Sequence, residues 1–224
     1  MCFVITIDGP AGAGKSSVAR RLAKHLGIRY LDTGAIYRAV AYRLDGEGIS
    51  PSFGEEKKMA EFLASLEIRL EKEGIFVNGE NVTGSIRSAR IDRIVSGYAA
   101  SKVVRGALLD LQRAQAEYGD LIADGRDTGS VVFPGADMKF FLTASPQARA
   151  ERRYKELLRK GEAVAYKEVL AQIHERDNAD SRRELAPLLE PQGSVHVDTS
   201  LMDEDEVVNQ LLFLIKRRMA QELD

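Results

Sequence analysis

Gly9-Pro10-Ala11-Gly12-Ala13-Gly14-Lys15-Ser16 sets glycines, a lysine and a hydroxyl in the spacing G-x-x-x-x-G-K-[ST]. That spacing suits a polyphosphate. Glycines let the backbone curl until successive N–H groups point inward, and the N-terminus of a following helix adds positive potential. Lys15 supplies a compact cation for the outer phosphates, and the Ser16 hydroxyl is a ligand for Mg²⁺, which also contacts phosphate oxygens. With Ser17 in the first turn of that helix, residues 9–17 form the expected phosphate-binding run. The motif speaks for a phosphate-bearing nucleotide and leaves the reaction open.

Two further groups of residues bear on the reaction. The apolar run Leu121-Ile122-Ala123 ends in Asp124-Gly125-Arg126-Asp127, so Asp124 can hold Mg²⁺ through water while Arg126 suggests a second anion nearby. Downstream, Arg149, Arg152 and Arg153 fall at helical spacing with Arg159 following, and Arg176, Asp180 and Arg183 recur at i, i+4 and i+7. By themselves these clusters read as a solvated, ion-paired helix face. Beside a complete phosphate loop they read as a lid that brings arginine to a transferring phosphate. A guanine-reading N-K-x-D segment, which a GTPase switch needs, is absent from the sequence.

The elements that position these groups follow from periodicity. Residues 3–7 are apolar and β-branched, a buried strand running into the glycine loop. Val18, Leu22 and Leu26 mark a helix face, with Gly27 where a C-cap belongs. Residues 28–31 read as a strand, and residues 35–44 and 55–66 as helices. Ile68 and Leu70, then Ile75 and Val77, alternate with polar residues around Glu73-Gly74 and Asn78-Gly79, so residues 66–84 read as a small antiparallel insertion. Helices are expected at 86–98, 103–118 and 164–176, and from Ser145-Pro146 as N-cap and first helical residue. Strands are expected at 121–123, 139–143 and 195–197, and a closing helix at 207–219. Strand–helix alternation implies an α/β fold with a central parallel sheet.

Composition narrows the classes. Across 224 residues, Lys and Arg total 32 against 34 for Asp and Glu, so no basic footprint for nucleic acid follows. Cys2 is the single cysteine, which excludes an internal disulfide and a cysteine-rich zinc site, and His25, His174 and His196 lack metal spacing. No stretch approaches the roughly 18 apolar residues of a membrane span, and the N-terminus reads as a strand rather than a signal peptide. The expectation is a soluble cytoplasmic protein.

Several segments together resemble bacterial-type cytidylate kinases, a family of P-loop nucleoside monophosphate kinases. They are Ile5-Thr6-Ile7-Asp8-Gly9-Pro10, Leu31-Asp32-Thr33-Gly34-Ala35-Ile36-Tyr37-Arg38, Val104-Arg105, residues 121–127, Val131-Val132-Phe133-Pro134, and Glu175-Arg176-Asp177 leading to Ala186-Pro187-Leu188. The resemblance implies a P-loop three-layer fold with ATP as donor, CMP or dCMP as acceptor, and Mg²⁺. It implies that Thr33, Tyr37 and Arg38 line the acceptor's sugar-phosphate, and that Arg126 and Arg176 clamp its phosphate with Arg183 beside the transfer path. Ser96, Arg105 and Asp127 resemble the cytosine readers, and Asp180 the residue that meets the ribose. Position 33 is Thr where the family often has Ser, with the hydroxyl kept. Lys15, Arg126, Arg176, Arg183 and Arg153 are the expected catalytic set.

Hydrogen-bond chemistry is compatible with those readers. A carboxylate at Asp127 accepts from the cytosine amine, whereas uracil presents an oxygen there. The residues alone leave Asp127 equally readable as a turn or cap residue. In organisation, the expected core is about 1–34, 103–144 and 190–224, the monophosphate-binding region about 35–102, and the lid about 145–185. A monomer with small-molecule partners, and neither nucleic acid nor membrane, is expected. Kinases of UMP, dTMP or shikimate, a non-catalytic nucleotide sensor, and a nucleic-acid-associated ATPase are the rival readings.

Overall fold

The computed structural model describes residues 2–71 and 73–221. In chain order its elements are β1 (Val4–Asp8), α1 (Lys15–Leu26), β2 (Arg29–Asp32), α2 (Thr33–Gly46), α3 (Glu56–Ala64), β3 (Ile68–Glu71), β4 (Gly74–Val77), β5 (Glu80–Asn81), α4 (Ala89–Ala100), α5 (Lys102–Ala114), β6 (Leu121–Asp124), β7 (Met138–Thr143), α6 (Pro146–Arg159), α7 (Tyr166–Ser181), β8 (Val195–Asp198) and α8 (Glu204–Gln221). The chain divides into two compact units, Met1–Leu31 with Ala116–Asp224, and Asp32–Gln115.

The first unit is built on a parallel sheet of order β2-β6-β1-β7-β8. Its central strands are apolar on both faces because both are covered: every residue of β1 and of β6 is buried. Val18, Ala19 and Leu22 of α1 and Val207, Leu211 and Ile215 of α8 pack with Ile5, Ile7, Phe140 and Leu142 in one cluster. Each such large aliphatic side chain contributes about 1.5–3 kcal/mol by leaving water. Gly27 ends α1 in the left-handed conformation, its N–H donating to the Ala23 carbonyl. This is the P-loop three-layer α/β fold. Helices α6 and α7 pack on one another through a smaller core of Ala150, Leu157, Val169 and Ile173.

The second unit holds α2 to α5 and an antiparallel sheet of order β3-β4-β5, paired Ile68 with Val77 and Leu70 with Ile75. Val77, Val82 and Ile86 pack with Ala35 and Ala39 of α2. Asp32 caps α2, accepting the Ala35 N–H at 2.8 Å.

Several boundaries differ from expectation, and four of them have a tertiary or capping reason. Residues 103–115 belong to the second unit and not to the core, because only Ser101 separates α5 from α4 and α5 packs on α3 and α4. The helix expected from residue 86 is a single 3₁₀ turn, Ser85–Arg87, followed by α4, whose N-cap is Ser88. Helix α5 stops at Ala114 and tightens into a 3₁₀ turn through Tyr118. Helix α7 runs on to Ser181 because Asp177 and Asp180, in its last turns, are compensated by arginines from outside the helix.

Candidate active site

In the first unit the phosphate loop has the conformation its glycines permit. Gly9, Gly12 and Gly14 take φ of +144°, +78° and +90°. A Cβ on Gly9 would lie 1.9 Å from the Leu142 carbonyl oxygen, so no other residue fits there. No side chain caps α1 and its first turn has no acidic residue, which leaves its N-terminal amides suited to phosphate.

Lys15 is only 5% exposed. Its ammonium donates to the Pro10 carbonyl at 2.7 Å. Burial pushes its pKa well below the usual lysine value, and the Arg126 and Arg176 guanidiniums push the same way against Asp124 and Asp8. Crowding two cations around a buried ammonium is costly unless an anion offsets it, which is the electrostatic condition of a polyphosphate site.

The Ser16 hydroxyl donates to Asp124 Oδ2 at 2.7 Å, and the Tyr30 hydroxyl donates to Oδ1 at 2.8 Å. This hydroxyl–carboxylate pair offers hard oxygens of the kind that would suit a divalent cation such as Mg²⁺. Among the described residues no cluster of three or more His, Cys, Asp or Glu could hold a metal by itself. The pair therefore fits a metal that arrives with a nucleotide.

Asp180 lies between two arginines. Arg126 Nε donates to its Oδ2 at 2.8 Å, and Arg183 Nη2 donates to Oδ1. Burial raises the Asp180 carboxyl, but Arg126 and Arg183 outweigh it and hold the pKa at about 2. Arg176 adds to the same positive field. Arg126, Arg176, Asp180 and Arg183 are thus brought together, near enough to Lys15 for Arg126 and Arg176 to act on it.

The four arginines expected in a lid are dispersed. Arg149 is 3% exposed and fully engaged: Nε donates to the Ala144 carbonyl at 2.9 Å, Nη1 to the Ala11 carbonyl at 3.1 Å, and Nη1 and Nη2 to Asp177 at 2.8 and 2.6 Å. It is a strut under the phosphate loop, with its Cβ 3.1 Å from where a Gly12 Cβ would stand. Arg152 donates to the Thr199 hydroxyl at 3.1 Å and to the Thr199 carbonyl, which ties α6 to the loop after β8. Arg153 pairs with Glu156 at 2.8 Å, and Arg159 is exposed.

Asp127 is buried and its carbonyl accepts from Val131 and Val132 N–H, at 2.8 and 3.2 Å, to close a π turn over Thr128–Val132. Its side chain does not cap that turn.

The second unit carries the other expected residues. Thr33 and Tyr37 are buried on α2. Arg38, on the same helix, ion-pairs with Asp92 at 3.0 Å. The Arg105 guanidinium lies 5.5 Å from the Tyr37 ring centroid and donates to the Ala99 carbonyl at 3.1 Å. Ser96 is half-buried on α4.

Four participants escaped the sequence reading: Asp8, Tyr30, Asp92 and Asp177. Each acts through a partner at least 28 residues away, which no spacing rule reports. Asp8 and Asp177 do lie in segments that carry the family resemblance, but no spacing assigns either of them a role. Burial pushes the Asp8 carboxyl above its ordinary value, while N–H donors from Gly129 and Thr128 oppose the shift.

Comparison with known proteins bears on the fold and the family. A solved structure of an uncharacterized protein from Eubacterium ventriosum superposes with a TM-score of 0.53 at 13% identity, covering 96% of this chain and 98% of that one, a likeness of fold alone. A curated relative named cytidylate kinase, from Caldanaerobacter subterraneus, is 45% identical over 219 residues, 98% of this chain and 97% of the relative. Another of the same name, from Mycobacterium leprae, is 44% identical over 217 residues, 96% of each. The family model described as cytidylate kinase matches residues 5–217, and the chain belongs to the cytidylate kinase family.

Proposed function

We propose that the protein transfers the γ-phosphoryl group of ATP to CMP or dCMP, giving ADP and CDP or dCDP. The observation that carries this reading is the buried Lys15 within the field of Arg126 and Arg176, beside the Ser16–Asp124 oxygen pair. Curated relatives named cytidylate kinase support the choice of acceptor.

In this reading the loop amides of residues 9–17 and the Lys15 ammonium bind the triphosphate. Ser16 and Asp124 would hold Mg²⁺, which would supply charge neutralisation to the phosphates. Thr33, Tyr37 and Arg38 take the acceptor's sugar-phosphate, and Ser96, Arg105 and Asp127 its base. Asp180 meets the ribose, while Arg126, Arg176, Arg183 and Arg153 offset the charge of the phosphates. A bond forms from an acceptor phosphate oxygen to the γ-phosphorus as the bond to the β-bridging oxygen breaks, and ADP leaves. The acceptor oxygen is already anionic near neutral pH, so no side chain must remove a proton. Catalysis is alignment plus charge neutralisation. We assign the enzyme to the cytoplasm as a monomer; no described helix is long and apolar enough to cross a membrane.

The test is ADP release with ATP·Mg²⁺ and a panel of CMP, dCMP, UMP, AMP and shikimate. The highest kcat/KM is expected for CMP or dCMP. A higher value for any other member, or ADP release indifferent to acceptor, would overturn the reading.

A further inference from the structure

Asp8 ends β1 one residue before the phosphate loop and is completely buried. Both of its oxygens are committed to another segment. Oδ1 accepts the Thr128 N–H at 2.8 Å and Oδ2 accepts the Gly129 N–H at 2.6 Å. These are the first two amides after Asp127, and they open the π turn.

The fit around them is close. A Cβ on Gly129 would stand 2.5 Å from Thr6 Oγ1, 3.1 Å from Asp8 Oδ2 and 3.2 Å from Pro191 Cγ. On the other side of Asp127, the Gly125 N–H donates to the Ile7 carbonyl at 3.1 Å. The backbone on both sides of Asp127 is therefore anchored to consecutive residues of β1, Ile7 and Asp8. The same strand leads directly into Gly9.

We propose that Asp8 is a positioning residue that sets the acceptor-base preference by fixing the backbone that presents Asp127. The inference rests on the reading of Asp127 as a base reader. A carboxylate that must meet an exocyclic amine, and present a mismatch to a carbonyl, discriminates only while its placement is held to a fraction of an ångström. Asp8 is suited to this because one charged group accepts two successive amides without moving. Asparagine has the same shape but only one acceptor, and its amide would face a second N–H donor to donor.

The experiment measures kcat/KM for CMP and for UMP, and KM for ATP, in Asp8→Asn, Gly129→Ala, Asp127→Asn and the Asp8→Asn/Asp127→Asn double variant. Asp8→Asn is expected to lower the CMP:UMP ratio about tenfold while the ATP KM moves less than about threefold. Gly129→Ala, which crowds the same hydrogen bonds from the other side, is expected to lower the ratio as well. The double variant should lose no more selectivity than Asp127→Asn alone, since Asp8 acts through Asp127. An unchanged ratio in folded Asp8→Asn, or losses that add in the double variant, overturns the proposal. Should Asp8→Asn fail to fold, an unchanged ratio in Gly129→Ala overturns it. An unchanged ratio in Asp127→Asn instead removes the base-reading role on which the proposal stands, and so separates the two failures.

Discussion

Replacing Asp177 by Asn isolates the strut beneath the phosphate loop. The substitution keeps the side-chain shape and removes the charge that faces Arg149 through two hydrogen bonds of 2.8 and 2.6 Å. Arg149 then keeps the carbonyls of Ala144 and Ala11 for its buried guanidinium but loses the carboxylate charge. Removing one partner of a buried ion pair costs about 3–5 kcal/mol. The Asp177 side chain is 25% exposed and the asparagine carbonyl still accepts one bond, so the loss should fall at or below the low end, about 2–3 kcal/mol. For a chain of this size each kcal/mol shifts Tm by about 2–4 °C, which predicts a fall of about 4–12 °C. Urea unfolding at pH 7 measures the free energy, and a cycle with Arg149→Met and the double variant gives the pair's coupling. Because Arg149 also holds the Ala11 carbonyl within the phosphate loop, the ATP KM should rise in parallel. A stability loss under about 0.5 kcal/mol, or a coupling near zero, would refute the assignment of Arg149 as a strut.

Lys15→Ala should leave the fold intact, since it removes a buried cation already disfavoured by burial and by Arg126, and should cut kcat severely. Turnover near that of the parent would refute the role of the ammonium. Arg153, which ion-pairs with Glu156 at the surface, should cost on the order of 10³ in kcat when replaced by Ala if it serves the transferring phosphate. A loss under about tenfold, read in the same ADP assay, would remove it from that role. Asp180 supplies a pH test. Its folded pKa of about 2 lies below the unfolded value, so it contributes stability that is full above about pH 4 and is lost as pH falls toward 2. Asp180→Asn should therefore be less stable by about 2 kcal/mol at pH 7, with the difference closing near pH 2. A constant difference across that window in urea titrations would refute the ion-pair account.

Much of this molecule was legible before any coordinates because its decisive signals are local. A glycine at position 9, 12 or 14 declares a backbone that other residues resist, and a lysine and serine at the start of an amphipathic helix declare what that backbone surrounds. The buried central strands announce themselves as short apolar runs, and alternation at Ile68, Leu70, Ile75 and Val77 announces the antiparallel insertion. Family membership was readable for the same reason, as several short segments in a fixed order.

What folding alone decided is the pairing of charged and polar groups distant in sequence. Ser16 meets Asp124 across 108 residues, Arg126 meets Asp180 across 54, and Asp8 meets Gly129 across 121. Arginines at 149, 152 and 153 look alike along a helix, yet one is locked on Asp177, one on the Thr199 loop and one on a neighbouring turn. Helical spacing states that such residues can share a face. Which carboxylate or carbonyl lies opposite depends on how strands and helices pack, and that long-range electrostatic complement separates a structural arginine from one poised for phosphate.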